Sequence, residues 1–329
     1  MKNIIRSLCA LSLAITLCAC GAGTDQSSAP AGSSAAEDKN FVVGICQLMQ
    51  HDALDAATKG FRDALEQALP GRVSFKEQNA SGEPANCSTI VNGFISDKVD
   101  LIMANATPAL TAAASATSEI PILGTSVTAY GVALDIADFN GTVGGNISGT
   151  SDLADLKEQA AMIKEWFPDA RNVGLLFCSA EANSRYQVDE VAKALTELGL
   201  NSTEFAFTDT NDLAAVTQNA ADKSDVIYIP TDNTAANNTE SIANILLPAG
   251  VPAVCGEEGI CAGCGDCTLS ISYYDLGFTT GQMAARILKG EADIATMPVE
   301  YTTATKKYNK AFCEQLGLTV PDGYEAISK

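Results

Sequence analysis

The sequence lacks the motifs that identify most catalytic and cofactor-binding sites. Its 329 residues contain one histidine, His51, although histidine is the commonest general acid or base. There is no Gly-x-Ser-x-Gly elbow, no Walker A loop and no Gly-x-Gly-x-x-Gly segment after a predicted strand. His51, between Gln50 and Asp52, fits a hydrogen-bonded loop or cleft position better than a general base. We therefore expect no enzyme and no cofactor.

Positive charge and long apolar runs are also scarce. The chain has 20 lysines and arginines against 40 aspartates and glutamates, which gives a net charge of −20. A surface of that sign repels phosphate backbones, so nucleic acid is not an expected partner. Beyond the N-terminus, no apolar run approaches the roughly 20 residues that span a bilayer.

The first 40 residues have the pattern of an export signal followed by a tether. Lys2 and Arg6 precede a short apolar run, and the segment Leu-Cys-Ala-Cys ends at Cys20 with a glycine after it. Residues 1–19 are therefore predicted to be a lipoprotein signal peptide, with Cys20 as the lipidated residue. Residues 20–40 lack large apolar side chains and are predicted to be a disordered tether. The sequence thus predicts an extracytoplasmic protein that Cys20 anchors to the cell membrane.

The rest of the chain alternates short β-branched segments with longer amphipathic segments. Predicted strands lie at residues 41–46, 72–78, 100–105, 172–178, 202–207 and 225–230, and predicted helices at residues 52–69, 84–96, 108–118, 152–167, 181–198 and 212–221. The pattern starts again after residue 149. Apolar strands separated by helices are typical of parallel sheets covered on both faces. We therefore predict an α/β protein with two similar, Rossmann-like lobes.

Polar side chains follow most of the predicted strands. In such sheets ligands bind beyond the carboxyl ends of the strands, and the candidates there are Gln47, Asn105, Thr107, Thr125, Ser126, Thr128, Asn183, Ser184, Asp232 and Glu257. The same residue types also cap helices and form turns, so each of them has a structural alternative. Together they predict a polar groove between the two lobes.

Three of the 11 cysteines lie close together near the end of the chain. Cys261, Cys264 and Cys267 are spaced two residues apart in a glycine-rich segment, and Cys255 precedes them. No Cys-Pro follows as in bacterial ferredoxins, which argues against an iron–sulfur cluster. The pattern leaves open a zinc site, free thiols, or disulfides that pair these residues with Cys255, Cys46 or Cys178.

Eight segments resemble those of a known bacterial family. They are VGICQLMQHDALDAATKGF (43–61), ANATPA (104–109), IPILGTSVT (120–128), NISGTSDL (146–153), EANSRYQV (181–188), IYIPTDNT (227–234), VPAVCGEEG (251–259) and ISYYDLGFTTGQMAARILKGE (271–291). In this order they resemble the tryptophan/tyrosine transport-system substrate-binding proteins, which are lipoproteins of ABC transporters. The resemblance covers residues 41–323, and in that family the segment at 261–267 usually lacks cysteines.

The resemblance implies a type I periplasmic-binding-protein fold whose lobes are joined by three hinge crossings. The crossings are expected near residues 141–150, 268–273 and 297–302. Lobe 1 would then comprise residues 41–145 and 270–297. Lobe 2 would comprise residues 146–269 and 298–329.

The resemblance also implies a function and roles for the candidate residues. The protein would close on a small molecule, most often an aromatic amino acid, and deliver it to the permease and ATPase subunits of an ABC importer. Ser126 and the nearby threonines would bind the ligand carboxylate, whereas Asn183, Ser184 and Asp232 would meet the ligand from lobe 2, with Asp232 accepting its ammonium group. Further candidates are Gln47, Asp55, Glu257 and, as an aromatic wall, Tyr273. A ligand-sensing lipoprotein and a thiol- or metal-handling protein remain alternatives.

Overall fold

The structure is a computed structural model, and it describes residues 39–327. The predicted signal peptide, the predicted lipidation site Cys20 and all but the last two residues of the predicted tether lie outside this range. No helix within the described range is long and apolar enough to cross a membrane.

The strands form two separate sheets. In chain order they are β1 (Phe41–Gln47), β2 (Val73–Asn79), β3 (Leu101–Asn105), β4 (Ile122–Val127), β5 (Ile147–Ser151), β6 (Asn172–Cys178), β7 (Asn201–Phe207), β8 (Val226–Ile229), β9 (Ala253–Cys255), β10 (Cys267–Ser270), β11 (Glu300–Tyr301), β12 (Thr305–Tyr308) and β13 (Glu325–Ala326). The first sheet has the order β11-β5-β4-β3-β1-β2, and the second has the order β13-β12-β10-β9-β8-β6-β7. Pairing is parallel throughout both sheets, except that β10 pairs antiparallel with β12.

Helices connect most successive strands, as the alternating pattern predicts, although β12 follows β11 without one. They are α1 (Asp52–Ala68), α2 (Pro84–Ser96), α3 (Thr107–Ala116), α4 (Tyr130–Ala133), α5 (Leu156–Trp166), α6 (Ala182–Glu197), α7 (Thr210–Ala221), α8 (Asn233–Ala236), α9 (Thr239–Ala249), α10 (Glu258–Cys264), α11 (Tyr273–Leu288) and α12 (Lys310–Leu316), with a 3₁₀ turn at Ile294–Thr296. Their apolar faces cover the sheets, and each sheet has a buried core on both faces.

Each sheet with its helices forms one lobe, and the chain crosses between the lobes after β5, between β10 and α11, and after β11. Two of the predicted lobe boundaries are wrong. Residues 146–269 and 298–329 were assigned to lobe 2, but β5 and β11 both pair within the first sheet. Neither strand has an apolar run: β5 reads ISGTS and β11 is two residues long.

Helix α11 returns the chain to lobe 1 and packs closely along α1. A methyl group built on Gly277 would lie 1.9 Å from the carbonyl oxygen of Ala57, and one on Gly60 would lie 2.1 Å from the carbonyl oxygen of Tyr274. Only glycine permits this approach, because the neighbouring atoms are backbone. The contact fixes Tyr273, the first residue of α11, at the entrance to lobe 1.

Candidate ligand-binding site

A small cavity lies between the two lobes, beyond the carboxyl ends of the strands. Its walls come from both lobes and from the crossings: His51, Ala53, Leu54, Ser126, Thr128, Asp152, Asn183, Thr231, Asp232, Asn233, Ala236, Glu257 and Tyr273. This lining contains three carboxyl groups and no lysine or arginine. Six of the predicted residues meet here, namely Ser126, Thr128, Asn183, Asp232, Glu257 and Tyr273.

Asp152 lies directly after β5, where the chain first leaves lobe 1, and it is 4% exposed. Burial raises its pKa, although hydrogen bonds from Thr128 and Tyr273 act in the opposite direction. The Tyr273 hydroxyl donates to Oδ2 at 2.9 Å. Within residues 39–327, Oδ1 has no hydrogen-bond partner. A buried carboxylate oxygen in that condition is costly unless a ligand supplies a donor.

Sequence reasoning missed Asp152 because the helix was predicted to begin there. In the structure α5 begins at Leu156, and Asp155 caps it by accepting from the backbone N–H groups of Lys157 and Glu158. Asp152 is therefore part of an extended crossing between the lobes. The only available signal was its position immediately after the polar segment Ser-Gly-Thr-Ser.

Ser126 is turned into the cavity by an irregularity near the end of β4. The register between β4 and β5 shifts between Gly124 and Val127, and Ser126 has a φ of 54°. A non-glycine residue in this left-handed region costs about 1–3 kcal/mol, and such strain is concentrated at functional sites. The Ser126 hydroxyl is buried and has no partner within the described part of the chain.

Asn183 supplies the corresponding polar group from lobe 2. Its amide nitrogen donates to Glu181 Oε2 at 3.1 Å, to Ser184 Oγ at 3.3 Å and to the carbonyl oxygen of Thr231 at 3.0 Å. Its Oδ1 is buried and unpartnered among the residues described. Because the amide nitrogen already donates to protein acceptors, Asn183 can offer a ligand only its Oδ1 as an acceptor.

Asp232 and Glu257 also line the cavity, but their oxygens are occupied as helix caps. Asp232 Oδ1 accepts from the N–H of Ala235 at 2.8 Å, and Oδ2 accepts from the N–H of Cys178 and the hydroxyl of Ser184, both at 2.7 Å. Glu257 accepts from the N–H groups of Gly259 and Ile260 at the start of α10. Burial raises the pKa of each carboxyl to about 7, with a further contribution from Glu181 at Asp232.

Several predicted residues lie beneath helix α1, away from the cavity. Gln47 and Asn105 are register partners on neighbouring strands. Gln47 Nε2 donates to Asp55 Oδ1 at 2.6 Å, and Thr58 donates to Gln47 Oε1 at 2.6 Å. Asn105 Nδ2 donates to Thr58 Oγ1 at 2.9 Å and to the carbonyl oxygen of Leu54 at 2.8 Å. Gln47, Asp55 and Asn105 thus attach α1 to the first sheet.

The remaining predicted residues have similar structural roles. Thr125 is the register partner of Asn105, and its hydroxyl lies 3.3 Å from that of Thr150. Thr107 begins α3 and is buried outside the cavity lining. Ser184 donates to Asp232 and so supports the cap of α8 rather than the cavity wall.

The eight cysteines of the described part are all buried, and their thiols are free. Cys255, Cys261 and Cys264 lie with Cys178 in the core on one face of the second sheet, whereas Cys267 and Cys313 lie on the other face. Cys46 is in lobe 1, in the same buried core as Cys87. Burial raises the pKa of Cys261 to about 11. High-pKa buried thiols of this kind are unreactive.

The structure therefore favours a packing role for the cysteine segment. Within residues 39–327, no group of three or more His, Cys, Asp or Glu side chains is arranged to hold a metal ion. Cys46 and Cys178, named above as possible disulfide partners, do not line the cavity.

Comparison with known proteins supports the same fold. The family model described as ABC transporter substrate binding protein matches residues 42–328. The chain belongs to this family. The substrate-binding proteins of ABC importers bind small molecules outside the cytoplasm and deliver them to a permease, as the resemblance implied. The predicted two-lobed fold is confirmed.

Three relatives are informative. The tyrosine-binding protein of Clostridioides difficile (strain R20291) is 30% identical over 302 residues, covering 91% of this chain and 86% of the relative. The ABC domain from Streptococcus pneumonia in complex with L-Trp is 29% identical, with a TM-score of 0.83 over 88% of this chain and 100% of that one. A ligand-free, open substrate-binding protein with adhesive properties from Clostridium difficile is 31% identical, with a TM-score of 0.68 over 88% of this chain and 99% of that one.

The two solved structures differ in their structural similarity to this chain, although their sequence identities to it are nearly equal. The substrate-binding protein described here superposes better on the L-Trp complex than on the ligand-free, open structure. Its lobes are therefore arranged more like those of the complex. This arrangement brings the polar groups of both lobes to one cavity.

Proposed function

We propose that this substrate-binding protein captures a free aromatic amino acid in the cavity and presents it to the permease of an ABC importer. The observation that carries the proposal is the meeting of Asp152 Oδ1, Asn183 Oδ1 and Ser126 Oγ at one cavity. All three are buried, and none has a partner within the described residues. A ligand that completes their hydrogen bonds would remove the cost of burying them.

The chemistry of these three atoms matches a zwitterion. Asp152 Oδ1 and Asn183 Oδ1 are acceptors, and an ammonium group supplies three donors. The Ser126 hydroxyl can donate to a carboxylate. Because the cavity lining lacks lysine and arginine, a ligand with excess negative charge would find no counter-ion. We assign the ammonium to Asp152 rather than to Asp232, since the oxygens of Asp232 already accept three hydrogen bonds.

The walls of the cavity support an amino acid with an aromatic or aliphatic side chain. Tyr273, Leu54, Ala53 and Ala236 provide ring and aliphatic surface. The tyrosine-binding and L-Trp-bound relatives support an aromatic ligand.

Capture would couple ligand binding to lobe closure. Ser126 and Asp152 lie at the edge of lobe 1, and Asn183 lies in lobe 2, so one ligand can hydrogen-bond both lobes only when the cleft is closed. A ligand that binds one of two states more tightly shifts the population toward that state. The closed state is then the form that the permease would recognise.

We further propose that Cys20 carries the lipid that holds the protein at the membrane surface. The support is the signal-peptide pattern of residues 1–19 and the small polar residues that follow Cys20. Replacing Cys20 with serine should release the protein into the medium or periplasm, as measured by cell fractionation.

A thermal-shift screen tests the proposed ligand. Residues 39–329 would be heated with each of the twenty amino acids at about 100 times the dissociation constant, where binding should add about 2.7 kcal/mol of stability. We expect tyrosine, tryptophan or phenylalanine to raise the melting temperature most. A larger shift with an aliphatic or charged amino acid would overturn the aromatic assignment, and no shift with any of them would overturn the amino-acid assignment.

A further inference from the structure

The single histidine of the chain lies where the two lobes meet. His51 precedes α1 in lobe 1, and its carbonyl oxygen accepts from the N–H of Asp55 at 3.0 Å. Its ring makes no capping hydrogen bond to the helix. Instead, Nε2 lies 3.4 Å from Oδ1 of Asn233, the first residue of α8 in lobe 2. The contact therefore joins the lobes directly across the cleft.

The surroundings of Asn233 determine which ring nitrogen carries the proton. Asn233 Nδ2 donates to Glu181 Oε2 at 2.7 Å, and the Asn233 backbone N–H donates to the same oxygen at 3.0 Å. This anchoring orients the side-chain amide so that its oxygen faces His51. Since Oδ1 is an acceptor only, Nε2 of His51 must be the donor.

His51 also forms part of the wall between the cavity and the outside. Four residues, His51, Ala53, Ala236 and Glu257, line both the cavity and an outer groove of about 360 Å³. A ligand that leaves in this direction must pass between His51 and Ala53 of lobe 1 and Ala236 and Glu257 of lobe 2. The hydrogen bond between His51 and Asn233 spans this same opening.

We propose that His51 is a latch: its hydrogen bond to Asn233 holds the lobes together and slows the escape of bound ligand. This role rests on the proposed function, because it assumes a ligand in the cavity. His51 is a positioning residue here, since it acts through Asn233 and the closed arrangement of the lobes.

The latch should respond to pH. Carboxylates face His51 from several elements: Asp52 and Asp55 on α1, Glu181 before α6, and Asp232 and Glu257 at the caps of α8 and α10. Burial nevertheless outweighs the charges of Asp52, Asp55 and Glu181 and lowers the pKa of His51 in the closed cleft. An exposed ring in an open cleft would titrate near its ordinary pKa of about 6.5.

The direction of the pH dependence follows from these two pKa values. Because the closed state holds the proton less tightly, protonation favours the open state. The contribution of His51 to ligand affinity should be constant above about pH 6.5 and fall below it, by at most about tenfold per pH unit. Substitution of the ring by a group that does not titrate should remove this dependence.

The test measures ligand dissociation rates by stopped flow, with the amino acid identified in the thermal-shift screen, from pH 5.5 to 8. At pH 8, His51→Ala should dissociate about 2–10-fold faster than the unaltered protein, as expected for the loss of one hydrogen bond. His51→Gln can still donate to Asn233, so it should recover most of the rate and lose the pH dependence. Asn233→Ala should accelerate dissociation but add little to His51→Ala in the double variant.

The outcomes separate the latch from the proposed function. If no amino acid binds the unaltered protein, the proposed function fails, and the latch fails with it. If a ligand binds but its dissociation rate is unchanged in His51→Ala, or the effects of the two substitutions are additive in the double variant, the latch alone is overturned.

NMR gives an independent measurement, because the chain has one imidazole. Ligand should lower its pKa, and an unchanged pKa would contradict the latch.

Discussion

Asp152 and Asp232 are both buried aspartates on the cavity wall, yet their hydrogen bonding differs. Asp232, 1% exposed, uses both oxygens to bind two backbone N–H groups and the hydroxyl of Ser184. Asp152 uses Oδ2 for Tyr273, whereas Oδ1 has no partner among residues 39–327. Asp232 stabilises lobe 2, and Asp152 is left with an oxygen that a ligand can use.

The comparison shows that residue type at a strand end does not identify a ligand-binding group. An aspartate there can cap the next helix or face the ligand, and both arrangements bury it. Among the residues that line the cavity, the deciding property is whether the protein itself provides donors for every oxygen. On this criterion Ser126 and Asn183 resemble Asp152, whereas Glu257 resembles Asp232.

The largest predicted effect is on ligand affinity when Asp152 loses its charge. Asp152→Asn should weaken binding by about 30- to 3,000-fold, since loss of one partner of a buried charge pair costs roughly 2–5 kcal/mol. Isothermal titration calorimetry measures the change. The melting temperature without ligand should not fall, because the variant no longer buries a charge. Unchanged affinity would remove the distinction between the two aspartates.

The second prediction concerns Glu257, which resembles Asp232 in capping a helix. Its pKa is about 7 in the folded protein and 4.5 without the fold, so the folded state binds the proton more tightly. The resulting stabilisation is present below about pH 4.5 and is lost as the pH rises through 7. It amounts to about 3 kcal/mol.

Urea unfolding at several pH values, with Glu257→Gln as the matched variant, measures this contribution. The free energy of unfolding of the variant should fall less between pH 4.5 and 7.5 than that of the unaltered protein. Identical pH profiles would show that Glu257 does not take up a proton in the folded state.

The third prediction is that substitution of Asp232 lowers stability more than ligand affinity, the opposite of what is expected for Asp152. Asp232→Asn places an amide nitrogen against donors that now bind a carboxylate, so a backbone N–H of Cys178 or Ala235 loses its acceptor. The free energy of unfolding should fall by about 1–3 kcal/mol. Calorimetric affinity should fall by less than in Asp152→Asn. A variant with normal stability and severely weakened binding would instead place the ligand ammonium on Asp232.

The smallest predicted effect belongs to Ser126. Ser126→Ala removes one hydroxyl from the cavity and should weaken binding by about tenfold, the lower end of the effect of one hydrogen bond to a charged group. Unfolding stability should change little, because within the described part of the chain this hydroxyl has no protein partner. A large loss of stability without loss of affinity would show that Ser126, like Asp232, stabilises the protein rather than binding the ligand.

The fold was largely predictable because its signals are local and repeated. The predicted strand at residues 172–178 and the helix at 84–96 coincide with β6 and α2. The lobe boundaries were not predictable, because β5 and β11 join the first sheet through long-range pairing rather than through apolar sequence. Short polar strands carry no periodic signal that distinguishes them from loops.

The site was predictable only in part, for a related reason. Gln47, Asn105 and Thr125 lie at or near the carboxyl ends of strands, as Ser126 does, but adjacent residues of a strand point to opposite faces. Register places these three in a row across the first sheet, whereas the shift after Gly124 and the positive φ of Ser126 turn that residue into the cavity. Neither the register shift nor the position of Asp152 at a crossing is visible in the sequence.

The most direct test of the account pairs a change in the protein with a change in the ligand. The affinities of the unaltered protein and of Asp152→Asn would be measured calorimetrically for the preferred aromatic amino acid and for its analogue that lacks the amino group. If Asp152 binds the ammonium, removal of the amino group should weaken binding strongly in the unaltered protein and only slightly in the variant. Equal losses in both proteins would contradict the account, because the ammonium would then be bound by another group.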